Sequence, residues 1–194
     1  MPHRLDASGN LIDLWMHVPG VPVPGGSKTT KAITRGGRFV MVPTKNGGQR
    51  PLTATFDDAK GNGPWKAAVR SYGKREIEAA RGPLFLKPIA IIALFVMPRP
   101  DGHFSKRGGL LPWAARAEHV VKPDATKLLR PVEDALSKVW WRDDTLIVRQ
   151  VVAKKYIDSE HPECGAYVRV LPLAEFRRLY PAIPPVHGFE VTPS

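Results

Sequence analysis

Five acidic residues, Asp124, Glu133, Asp134, Asp143 and Asp144, crowd between positions 124 and 144 of a chain that holds only 18 Asp and Glu against 29 Lys and Arg. In a protein with a formal net charge of +11, a local acidic cluster calls for a reason. Two readings compete. In one, Asp124 caps a helix, Glu133 and Asp134 are solvated helix positions, and Asp143-Asp144 form a turn. In the other, carboxylates from a helix start and a strand start converge on a hard cation such as Mg²⁺, with waters and phosphate oxygens completing the shell. Phosphodiester hydrolysis would join such a metal to a basic surface. The attacking water must lose a proton, and the scissile phosphate and leaving oxygen carry negative charge that metal and cationic side chains offset.

The basic residues are grouped too. From Gly20 to Phe56 there are six (Lys28, Lys31, Arg35, Arg38, Lys45 and Arg50), no acid, and three Gly-Gly pairs. Such a segment is expected to be a flexible arm suited to a phosphate backbone, or else a solvated loop. A second group, Lys106, Arg107 and Arg116, lies in the Pro- and Gly-rich stretch from Pro98 to Val121, flanked by His103 and His119. Those histidines either touch phosphate or are surface loop residues. Gly25-Gly26-Ser27-Lys28 lacks the first glycine of a phosphate-binding loop, so no nucleotide cofactor is expected.

The elements that must hold these residues follow from periodicity. Pro64 suits a first helical position, and Trp65, Ala68, Val69, Tyr72, Ile77 and Ala80 form an apolar stripe that Gly82-Pro83 ends. Lys87 to Met97 is nearly continuous aliphatic sequence and predicts a strand buried on both faces. Leu128, Val132, Ala135, Leu136 and Val139 predict a helix over Ala125 to Val139. Pro131 must bend it or mark where its regular part begins. Strands are expected over Thr145 to Tyr156 and Ala166 to Leu171, and a closing helix over Leu173 to Tyr180. Of the adjacent Trp140 and Trp141, core or a subunit interface is the expected place.

Composition narrows the class. With 43% hydrophobic residues the chain can bury a core, and 1–180 reads as one domain followed by a loose Pro-rich tail, 181–194. One cysteine excludes an internal disulfide framework, and no apolar run is long enough to span a bilayer. The N-terminus has no secretory hydrophobic region, so a cytoplasmic protein without a membrane partner is expected.

The stretch Lys122 to Ile147 carries a longer pattern: Lys122-Pro123-Asp124, Leu128, Arg130, Asp134-Ala135-Leu136 and Asp143-Asp144 before a strand that ends in Lys154-Lys155-Tyr156. This pattern resembles the RusA family of Holliday-junction resolvases. The resemblance implies an α+β fold, with a small mixed β-sheet, two main helices, a basic arm and irregular loops. It implies an endonuclease of a bacterial cell or phage-infected host that resolves four-way junctions and other branched DNA as a homodimer. Mg²⁺ is the implied cofactor, with Mn²⁺ a substitute. Asp124 matches the family's first metal-binding aspartate and Asp144 the distal one, with Asp143 assisting. Arg130 stands where the family has a lysine; it keeps the charge, donates bidentately and does not supply a proton. Thr126 replaces a family aspartate, a deficit that Asp134 or Glu133 would have to make good. Lys127 and Lys154 join Lys28, Lys31, Arg35, Arg38, Lys106, Arg107 and Arg116 as expected DNA contacts. The rival functions are a junction-binding module weakened or inactivated at Thr126, and a basic RNA-binding protein.

Overall fold

The aliphatic run at 89–97 needs cover on both faces, and the fold is arranged around it. The computed structural model describes residues 4–5, 11–26, 28–57 and 61–181. Two strands open the chain, β1 (Arg4–Leu5) and β2 (Leu11–Pro19).

The basic arm comes next. Instead of an irregular loop, it contains six short strands: β3 (Lys28–Ala32), β4 (Thr34–Arg35), β5 (Arg38–Phe39), β6 (Met41–Pro43), β7 (Gln49–Pro51) and β8 (Thr53–Asp57). β3 and β8 form an antiparallel stalk, while β4–β5 and β6–β7 are separate hairpins. Gly36 and Gly37, with φ of 58° and 76°, make the first hairpin's two-residue turn, a conformation that favours glycine. Where stalk and hairpins meet, the backbone closes a ring of three hydrogen bonds. Ile33 N–H donates to Leu52 C=O (2.7 Å), Leu52 N–H to Val40 C=O (2.6 Å), and Val40 N–H to Ile33 C=O (2.8 Å).

Helix α1 (Asn62–Ala80) buries Trp65, Val69, Gly73 and Ala80, as its stripe predicts. It ends one residue before Gly82, at Arg81, which takes the left-handed conformation itself (φ 50°). β9 (Ile89–Met97) follows, then a long connection holding the short α2 (Pro112–Ala115). α3 (Ala125–Leu136), β10 (Ile147–Tyr156), β11 (Gly165–Pro172) and α4 (Leu173–Leu179) complete the chain. The tail at 182–194 lies outside the described residues.

The main sheet runs β1-β2-β11-β9-β10. β10 is parallel to β9, and β11 is antiparallel to both β9 and β2. Ile89, Ile91, Ala93, Phe95 and Met97 join the buried residues of α1 and α3 in the main core, while Ala90 on the other face packs with Leu171 and Phe176 of α4's side. The run is therefore covered on two sides, and the mixed α+β expectation holds. Trp140 and Trp141 are both fully buried. Trp140 Nε1 donates to the Gly73 carbonyl at 2.7 Å, and a Cβ at Gly73 would collide with the Leu136 side chain, so glycine lets α1 and α3 approach this closely.

Pro131 sits inside α3 without ending it. A proline there has no N–H and crowds the carbonyl four residues back, here that of Lys127. That carbonyl accepts from Gly25 N–H instead, at 2.7 Å.

Candidate metal and DNA-binding site

Helix α3 sets the geometry. Asp124 is its N-cap by backbone position, but its carboxylate makes no capping hydrogen bond; it is exposed and faces Lys127 Nζ at 3.5 Å. Lys154, expected on DNA, is committed elsewhere. Its ammonium donates to the carbonyls of Val121 (2.6 Å) and Pro123 (2.9 Å), tying the end of β10 to the entry of α3. Thr126, Lys127 and Arg130 are exposed.

The other end of α3 gathers acids. Glu133, a solvated helix position in one of the two sequence readings, is half-buried and accepts from Gln150 Nε2 at 2.5 Å. Burial, and next the negative charge of Asp144, push its carboxyl above the ordinary value, against the pull of that hydrogen bond. Asp144 is fixed by Trp141, whose indole Nε1 donates to Oδ1 at 2.7 Å. Asp143 accepts from both the backbone N (2.9 Å) and Oγ1 (2.7 Å) of Thr145, which hold its carboxyl below the usual range and shape the turn that presents Asp144. Asp134 pairs with Lys66 Nζ at 2.6 Å. Asp134 and Asp144 line one cleft of about 500 Å³ with Lys66, Arg70, Ser137 and Lys138.

A single centre shared by Asp124 and Asp144 is therefore not what one protomer offers. Nine helical residues separate Asp124 from Glu133, roughly 14 Å along the axis, and Asp144 stands at the Glu133 end. Asp124 lines a different cleft, of about 260 Å³, with Gly25, Gly26, Lys122 and Lys127. What the turn at 137–143 does bring together is Glu133 and Asp144. Two carboxylates that repel, with oxygen donors only and cations around the rim, are a donor set suited to a hard divalent ion.

The expected DNA contacts divide. Arg35 and Arg38 are exposed and directly paired across the first hairpin, an unfavourable arrangement unless an anion lies over them. Lys45 and Arg50 on the second hairpin are exposed, as are Lys106, Arg107 and Arg116. The side chains of Lys28 and Lys31 lie outside the described residues. His103 and His119 are not surface residues: they are 8% and 6% exposed and pack on the Tyr156 ring at 4.8 and 4.6 Å. Their loop folds back over the end of β10, which its irregular sequence gives no means of foreseeing.

Sequence reasoning missed one further cluster. Asp158, Glu160 and His161, in the turn between β10 and β11, present ligand atoms within 4.8 Å of one another. Lys155 Nζ already sits among them, paired with Asp158 and with Glu160 at 3.5 Å, so the two carboxylates are partly neutralised within the turn. Among the described residues no helix is long and apolar enough to cross a membrane.

A family model described as Endodeoxyribonuclease RusA matches residues 38–170, a span that takes in the acidic cluster and β9 to β11 and starts partway through the arm. No curated protein matches the chain.

Proposed function

This chain belongs to the RusA endodeoxyribonuclease family, and from that premise we propose that it resolves four-way and other branched DNA by Mg²⁺-dependent phosphodiester hydrolysis, with Mn²⁺ able to substitute. The observation that carries the reading is the half-buried Glu133 beside Asp144, with Lys66, Arg70 and Lys138 around the adjoining cleft. Glu133 supplies the negative charge that Thr126 lacks, though from the opposite end of the helix. Asp144 and Glu133 would hold the cation, which when bound lowers the pKa of a water and offsets phosphate charge. Asp143 orients the turn, Trp141 fixes the Asp144 carboxylate, and Arg130 faces the phosphate as a fixed positive charge. Asp124, with Lys122 and Lys127, belongs to the second cleft and contacts the same DNA. A homodimer fits the substrate, because paired incisions across a two-fold junction need two sites related by a matching axis.

The test is cleavage of a synthetic four-way junction with Mg²⁺ or Mn²⁺. Asp144→Asn and Glu133→Gln are each expected to lower the rate by roughly 10²-fold or more while retaining junction binding; Asp124→Asn is expected to lower it too. Equal product from wild type and Asp144→Asn would remove the assigned centre. Tight binding with no product from the wild type would make the chain a binding module.

A further inference from the structure

The Gly25-Gly26 pair has no part in a phosphate loop, yet it lies against the helix that carries Arg130. Gly25 N–H donates to the Lys127 carbonyl at 2.7 Å, the carbonyl that Pro131 leaves without a helical partner. A Cβ placed on Gly25 would stand 3.4 Å from Arg130 Cδ and 3.5 Å from the Pro131 ring, so Gly25 lies against both side chains with space for little more than a methyl between them. The same two glycines wall the cleft that holds Asp124 and Lys127. Two residues beyond Gly26 the arm begins, at Lys28.

We propose that Gly25 is a positioning residue, which docks the root of the arm on the Lys127 carbonyl and thereby fixes Arg130 against the arm-bound DNA. Pro131 makes the dock. Its ring turns the i−4 carbonyl outward, and its missing N–H leaves that oxygen to Gly25. A Cβ alone would fit there in ordinary contact, whereas a longer branched side chain would press on Arg130 and the Pro131 ring. The role assigned to Arg130 rests on the endonuclease reading above; the dock itself does not.

Two variants approach the contact from opposite sides. Pro131→Ala supplies an N–H at 131 and lets the Lys127 carbonyl turn back along the helix, leaving Gly25 undamaged. Gly25→Leu displaces the arm root and leaves α3 intact. The full-length protein is followed by amide hydrogen exchange, thermal melting and junction cleavage. Exchange at residue 25 in Pro131→Ala is expected to quicken roughly tenfold. In both variants kcat is expected to fall by a similar factor with the melting temperature little changed, which a purely structural contact would not produce. Unchanged exchange at Gly25 in Pro131→Ala would overturn the dock. Faster exchange with kcat and KM both unchanged would overturn the positioning role. A wild type that cleaves no junction would defeat the endonuclease reading while leaving the exchange result to decide the dock.

Discussion

Trp140 and Trp141 are neighbours in sequence, equally buried, and joined to different tasks. The Trp140 indole donates to the Gly73 carbonyl, tying the turn after α3 to helix α1; the Trp141 indole donates to Asp144, a proposed metal ligand. Outer hydrogen bonds of this kind fix a ligand's orientation and are worth about 10- to 100-fold in metal affinity or activity. Trp141→Phe is therefore expected to raise the Mg²⁺ concentration needed for half-maximal cleavage by roughly tenfold, and Trp140→Phe to leave it unchanged. Both should destabilise the fold by about 1–3 kcal/mol, having lost a buried donor and some volume. A Mg²⁺ titration of the cleavage rate, run beside thermal melts, separates the two. The identities of these residues are plain in the sequence, but the proximity of Glu133 to Asp144 is not. It depends on how far the turn at 137–143 carries the chain back toward α3, and no period in the sequence encodes that.

At the scale of elements, the legible parts are those with long, regular patterns. The apolar face of α3 and the aliphatic run of β9 announce themselves because each buries a continuous stripe. The connection from β9 to α3 does not, since its fold depends on a few packed side chains among glycines and prolines. His119 is the clearest of these. Burial holds its imidazole below the ordinary value of 6.5, opposed by its own backbone and helped to a lesser degree by the nearby Lys154 ammonium, and its Nδ1 has no hydrogen-bond partner. A base with a depressed pKa binds fewer protons folded than unfolded. Stability is then present above about pH 6.5 and is lost as pH falls through that value toward the lower, folded pKa. Replacing His119 by Phe should flatten this slope, so the gap between wild-type and variant melting temperatures narrows or reverses from about pH 7.5 to pH 5.5. His17, also depressed by burial, keeps a slope of the same sign in both proteins, so the difference isolates His119. Parallel curves over that range would refute the assignment.

On the scale of the whole molecule, the charge surplus resolves into two parts: a sheet with acids along α3, and an arm whose only acid is Asp57 at its end. The sequence marks the arm out by its charge but hides its strands. Several are only two or three residues long, too short for alternation to register. Replacing residues 28–57 with a short Gly/Ser link should leave the melting temperature close to wild type, because the core lies in α1, α3 and the main sheet. Junction affinity should drop, and the slope of log affinity against log salt should shrink by roughly 3 or more, as the arginines and lysines of the arm no longer displace counterions. An unchanged slope would show that the arm does not touch the backbone. Lys28 lies opposite Asp57, so the arm leaves and rejoins the body at one point. The ring through Ile33, Val40 and Leu52 binds its three branches so that trimming either hairpin would strand backbone groups in the others. The arm is thus a cassette with one point of attachment, and grafting it onto another nuclease is expected to transfer the salt-dependent DNA binding proposed for it without disturbing the recipient's core.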